Sequence, residues 1–237
     1  MNNHINKNIM KILISGASRG IGRFLMDKFI EDGHEVFGTY FNTLPDKKYE
    51  KHLSQANVSD YEKVITWVNE KVNNDDKLVV LNCAGLNYNS FAHKADFKKW
   101  KKVIDVNLIG TFNLINATLP YMREKKFGRI INFSSVVAQK GVPGTSAYAA
   151  SKSALWGMSK SIAQENAKKG ITINNLNLGY FDIGMISSVP DPILDVIKET
   201  IPSKNLGNPD AIYSAINFLI ENDYLNGSSL DINGGLF

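Results

Sequence analysis

Residues 9–22 read IMKILISGASRGIG, and the reading of this stretch decides the fold. Its first half, Ile9 to Ser15, is an apolar run of strand length closed by a glycine. Its second half opens a helical pattern, with Ile21, Phe24, Leu25 and Phe29 spaced i, i+3, i+4 and i+8, and Asp32-Gly33 ends it. Between them Ser15 to Gly22 carries glycines spaced G-x-x-x-G-x-G. Such glycines let the backbone turn tightly and let a pyrophosphate approach the helix N-terminus, whose free N–H groups and dipole favour an anion. Gly16, Ser18, Arg19, Gly20, Ile21 and Gly22 are therefore candidate cofactor contacts, with a plain strand-to-helix turn as the alternative.

Outward from this unit the hydrophobic period keeps switching. Strand patterns run over His34–Tyr40, weakly over Leu53–Asn57, then over Lys77–Asn82, Gly128–Ser134, Gly170–Leu176 and Ser229–Ile232. Helical patterns cover Tyr61–Val72, Phe97–Arg123, Ser146–Lys168 and Asp210–Ile220. Strands alternating with helices, several of them continuous apolar runs, predict an α/β doubly wound parallel sheet of about seven strands covered on both faces. No linker or repeat interrupts the pattern, so 1–237 is expected to be one domain, with 1–8 a flexible N-terminal extension and Ile183 to Leu206 its least regular part.

Composition narrows the classes. Of 237 residues, 43% are hydrophobic and 21% charged, an ordinary globular balance. The net charge of +4 is dispersed, and its densest run, Lys98-Lys99-Trp100-Lys101-Lys102, reads as a solvated helix face rather than a nucleic-acid patch. One cysteine, Cys83, excludes an intramolecular disulfide and a cysteine-based zinc site. Neither a signal peptide nor a run of roughly 20 apolar residues is present. The expectation is a cytoplasmic protein with no metal and no nucleic-acid or membrane partner.

The second strand ends Gly38-Thr39-Tyr40-Phe41-Asn42, with no acid where NAD-binding sheets place one against the ribose 2′-hydroxyl. That absence, with Arg19 in the turn, favours NADP(H) over NAD(H), Asn42 or Thr43 adding donors to a 2′-phosphate. Further on, Tyr148 and Lys152 lie four apart in Ser-Ala-Tyr-Ala-Ala-Ser-Lys, one helical turn from each other on one face. Alone, that spacing is common.

Together these pieces resemble the short-chain dehydrogenases/reductases, from Lys11 to Leu236, and so imply a Rossmann-type fold. The turn SGASRGIG is similar to the family's cofactor fingerprint. Asn57-Val58 stands where the family has Asp-Val at the adenine, and Asn82-Cys83-Ala84-Gly85 where it has Asn-Asn-Ala-Gly. The resemblance implies that Asn57, Val58, Asn82, Ala84, Gly85, Gly179 and Phe181 join the cofactor contacts, and that Cys83 is structural. Asp105 to Gly110 matches the segment with the family's catalytic Asn, and Ser135 precedes Tyr148 by the family's interval of thirteen. The implied tetrad is Asn107, Ser135, Tyr148 and Lys152. Tyr148 would be the general acid, its pKa lowered by Lys152; Lys152 would also hold the ribose, Ser135 would steady the substrate oxygen, and Asn107 would fix a water. Leu178 and Ile183 depart from the family's Pro and Thr.

Ile201-Pro202, Leu206 to Asp210 and Leu230 to Gly235 are similar to the 3-oxoacyl-acyl-carrier-protein reductase branch. The implied activity is reduction of a carrier-bound 3-oxoacyl thioester, as in fatty acid biosynthesis. Sugars, polyketide-like intermediates or small ketones are alternative substrates, and a non-catalytic NADP-binding sensor or scaffold is an alternative of another class. The resemblance also makes 183–206 a substrate lid and implies a homotetramer or homodimer.

Overall fold

A computed structural model describes residues 9–184, 186 and 189–236. The expected extension over 1–8 lies outside these residues, as does Met185 of the expected lid. The chain forms β1 (Lys11–Ser15), α1 (Gly20–Glu31), β2 (Glu35–Tyr40), β3 (Leu53–Gln55), α2 (Tyr61–Lys71) and β4 (Leu78–Asn82). It continues through α3 (Phe97–Ile104), a π-helical turn over Asp105–Ile109, α4 (Gly110–Lys125), β5 (Gly128–Ser135) and α5 (Val137–Lys140). Then come α6 (Ser146–Asn166), β6 (Ile171–Leu178), α7 (Asp191–Thr200), α8 (Pro209–Glu221) and β7 (Ser229–Ile232).

The strands form one seven-stranded sheet in the order β3-β2-β1-β4-β5-β6-β7, every neighbouring pair parallel. Alternation of side chains along a strand supplies two cores. Ile12, Ile14, Val79, Leu81, Ile131, Phe133 and Leu176 pack on one face with Leu25 and Phe29 of α1 and Ile212 and Ile216 of α8. Leu13, Leu78, Val80, Ile130 and Ile173 pack on the other with Val64 and Val68 of α2, Leu114 of α4 and Ile162 of α6. The fold is the doubly wound one read from the sequence.

Three local differences from that reading have physical causes. The pattern Phe97–Arg123 is two α-helices around the π-helical turn, which wedges Asn107 inward at 0% exposure. β6 runs two residues past Leu176, so Leu178 ends the strand, in register with Ser135. The irregular segment contains α7, whose apolar residues lack a buried seat and so gave no clean stripe.

β6 is also unusual in chemistry. Asn82, Asn132, Asn175 and Ser229 are register partners across β4, β5, β6 and β7. Asn82 Nδ2 donates to Asn132 Oδ1 at 2.8 Å, and Asn132 Nδ2 donates to Ser159 Oγ of α6 at 3.0 Å. Ser159 Oγ donates to Asn175 Oδ1 at 2.9 Å, and Asn175 Nδ2 to Ser229 Oγ at 3.1 Å. One layer on, Trp156 Nε1 donates to Ser134 Oγ and Asn177 Oδ1, and Asn177 Nδ2 to Asp231 Oδ1. A buried amide without partners would be costly, whereas this ladder leaves only Asn82 Oδ1 unpaired. It bonds α6 to the sheet.

Candidate active site

The site lies at the C-terminal ends of the strands, where an open α/β sheet leaves its crevice. β1 ends in the glycine turn. Gly16 has φ +70°, and a Cβ there would lie 2.8 Å from Ala84 Cα. A Cβ on Gly22 would lie 2.4 Å from the Gly16 carbonyl oxygen, so both glycines serve close backbone approach. Ser15 Oγ accepts from Ala84 N at 3.1 Å, holding the turn against the β4 exit. Gly20, φ +56°, faces Gly184, φ +77°; a Cβ on Gly20 would lie 3.2 Å from Gly184 Cα.

This cradle fits a pyrophosphate. The first N–H groups of α1 have no acceptor within the helix. Arg19 precedes them without capping them, and the first turn of α1 holds no acid that would repel an anion. Arg19 is exposed and Ser18 half-buried beside Gly20 and Ile21. Asn42 is exposed on the loop after β2. Asp46 of that loop is turned to Arg23, whose guanidinium lies 3.2 Å from the Tyr49 ring centroid and also pairs with Asp27.

The other predicted contacts divide. Asn57 Oδ1 accepts from Ser59 N and Ser59 Oγ, and Val58 packs on Gly110, where a Cβ would lie 2.6 Å from Val58 Cγ2. Asn82 is turned into the sheet ladder. Gly85 is brought to the catalytic candidates: a Cβ there would lie 3.6 Å from Asn107 Oδ1 and 3.8 Å from Lys152 Nζ. Gly179 lies against Asn233, while Phe181 is buried with its ring over Gly207 and its carbonyl accepting from Ile183 N.

The four tetrad candidates come together from three elements. The Asn107 side chain closes a two-point bond with Leu86, accepting from its N–H at 2.7 Å and donating to its carbonyl at 2.9 Å. Asn107 Nδ2 also donates to Ser151 Oγ at 3.0 Å, and Thr111 Oγ1 donates to the Asn107 carbonyl. Asn107 thus joins the loop after β4 to α6, a connection through Ser151 that sequence reasoning missed. Ser135 ends β5; its Oγ accepts from Val137 N at 3.2 Å, and its hydroxyl acts on the neighbouring Tyr148.

Lys152 is 5% exposed, donates to the Phe133 carbonyl at 2.6 Å and lies 5.6 Å from the Tyr148 ring centroid. Burial pushes its pKa down to about 8, opposed by the neighbouring Cys83. Burial pushes the Cys83 thiol well up, so thiolate chemistry is suppressed there. Burial also raises Tyr148, and the neighbouring Ser135 hydroxyl opposes the rise. The net direction is opposite to that expected from the Lys152 charge alone, because desolvation of the phenolate outweighs its stabilisation.

Among the described residues no group of three or more His, Cys, Asp or Glu is arranged to hold a metal, and no helix is long and apolar enough to cross a membrane.

Comparisons with known proteins follow the same geometry. The family model described as short chain dehydrogenase matches residues 10–192. The chain is 32% identical over 238 residues to a 3-oxoacyl-[acyl-carrier-protein] reductase of Staphylococcus epidermidis, covering 95% of this chain and 98% of that protein. It is 35% identical over 235 residues to an acetoacetyl-CoA reductase of Shinella zoogloeoides, covering 95% and 97%. A crystal structure of 3-oxoacyl-[acyl-carrier protein] reductase from Brucella melitensis superposes with a TM-score of 0.88 at 28% identity, covering 96% of this chain and 91% of that one.

Proposed function

Because the chain belongs to the short-chain dehydrogenase family and is thus an oxidoreductase, we propose that it reduces the ketone of a carrier-bound 3-oxoacyl thioester to an alcohol with NADP(H). The observation that carries this reading is the convergence of Ser135, Tyr148 and the buried Lys152, which lies one turn from Tyr148 with its Nζ 5.6 Å from the ring centroid. Names of relatives that act on 3-oxoacyl and acetoacetyl thioesters support the substrate class.

In this reading Gly16 to Gly22 hold the pyrophosphate, Arg19 and Asn42 the 2′-phosphate, and the main chain of Ala84, Gly85, Gly179 and Phe181 lines the rest. The bound cofactor supplies the hydride that reaches the carbonyl carbon. Tyr148, a phenol protonated at neutral pH, donates its proton to the carbonyl oxygen. Ser135 donates a hydrogen bond to the oxygen as charge develops there. Lys152, leaving the Phe133 carbonyl, holds the ribose hydroxyls and restores the proton of Tyr148, while Asn107 keeps the β4 loop and α6 in register. Residues 183–206 form the substrate lid of a single domain, and the exposed Ile109, which ends the π-helical turn, and Phe112 of α4 belong to a contact between copies of the chain.

The test is NADPH and NADH oxidation in parallel with an acetoacetyl thioester. NADPH should be the better donor, and Tyr148→Phe should lose about 10³-fold or more in kcat while retaining NADPH binding by fluorescence titration. Near-normal turnover by Tyr148→Phe, or preference for NADH, overturns the corresponding part.

A further inference from the structure

We infer that α3 and the turn before it form a docking face for an acidic acyl carrier protein that presents its thioester to Tyr148. This inference rests on the acyl-thioester reading above and adds the surface that selects the carrier. Lys98 and Lys102 stand four apart on the exposed side of α3, with Lys94 in the preceding turn. Lys101 is neutralised by Asp105 at 2.7 Å, whereas Lys94, Lys98 and Lys102 have no carboxylate partner among the described residues. Asp96, the nearest acid, spends its carboxylate on capping α3, accepting from Lys98 N and Lys99 N. The face is therefore basic without local compensation.

It is also sticky and rigidly connected to the catalytic helix. Phe91 and Phe97 flank the lysines and are 60% and 73% exposed. Trp100, on the inner side of α3, donates from Nε1 to Ser146 Oγ at 3.1 Å, and Ser146 opens α6 two residues before Tyr148. Ser90 N donates to the Gly144 carbonyl at 2.8 Å, tying the preceding loop to the entry of α6. Lys98 and Lys102 lie about 6 Å apart along the axis of α3, and Lys94 carries the row on into the preceding turn. A row continued over two elements suits an acidic helix laid along it. Exposed aromatics among the cations favour a protein surface over a free nucleotide thioester.

Charge of this kind acts mainly on encounter and is screened by salt. The test compares one acetoacetyl group on three carriers: an acidic acyl carrier protein, coenzyme A and N-acetylcysteamine. Lys98→Glu/Lys102→Glu should lower kcat/KM on the carrier protein about tenfold at low salt and flatten its salt dependence. The N-acetylcysteamine rate should stay within about twofold, since no charge steers that substrate. Lys98→Gln/Lys102→Gln should give a smaller loss in the same direction. Lys51→Glu/Lys63→Glu, an equal charge change near the β3 edge, should leave the carrier protein rate unchanged. Equal losses on all three substrates, no loss on the carrier protein, or a loss confined to coenzyme A each overturn the docking face. A wild-type enzyme that reduces none of the three overturns instead the acyl-thioester reading on which it rests.

Discussion

Helices α6 and α7 meet the same end of the sheet by opposite means. α6 buries Ala147, Ser151, Lys152, Leu155, Ser159, Ile162, Ala163 and Asn166, and hydrogen bonds from Ser159 and Trp156 bind it to β5 and β6. α7 buries no side chain; Ile193 and Val196 face outward, and only Ile197 and the following Ile201 reach the small cluster of Val136 and Leu236 behind Ser135. Chemistry needs fixed geometry, so the helix carrying Tyr148 and Lys152 is over-determined. A helix with few buried contacts sits at the low end of local stability and can adapt to what it covers.

The largest expected effect breaks the polar ladder. Asn175→Leu keeps the volume but removes the acceptor of Ser159 and the donor to Ser229, leaving buried polar groups unpaired. Denaturant unfolding should report a loss of about 3 kcal/mol. A stability equal to the wild type would show that the ladder does not hold α6.

A second expectation concerns Lys152 and pH. Its folded-state pKa is pushed down to about 8 from an ordinary 10.5, so between those values the unfolded chain binds more protons. Stability must then rise with pH across that window, with the full penalty of burying the cation present below it. Wild type minus Lys152→Met, followed by urea unfolding from pH 7 to 10, should show a rise of roughly 2 kcal/mol over the range. Parallel curves would refute it.

The smallest stability effect belongs to α7. Val196→Ser, 66% exposed in the wild type, should change stability by less than about 0.5 kcal/mol. Its effect should appear instead as a change in KM between short and long acyl thioesters; a loss of stability like that of Asn175→Leu would erase the contrast between the helices.

What was legible in the sequence follows the same divide. β1, β4 and β5 announce themselves because strands buried on both faces are apolar throughout, and the glycine turn because its spacing is local. Tyr148, Lys152, Ser135 and Asn107 were singled out through the family resemblance, which rests on the order and interval of motifs along the chain. The ladder was not, because matching Asn82, Asn132, Asn175 and Ser229 requires the register of four strands, a tertiary property. The upward push of burial on Tyr148 was not legible for a related reason: Lys152 is visible in the sequence, while depth of burial is not. The π-helical turn at Asn107 hid inside a helical period, and α7 hid because Ile193, Leu194, Val196 and Ile197 serve no single buried face.

The ladder also bears on how this chain reaches its fold. Parallel strands joined through crossovers pair late, after long loops close, and apolar runs alone specify their register weakly. Sliding β6 by one residue would turn Asn175 toward the face of Ile12, Leu81 and Phe133 and leave its amide among hydrocarbons. The asparagines therefore penalise a mispaired sheet as well as bonding α6 to the correctly paired one.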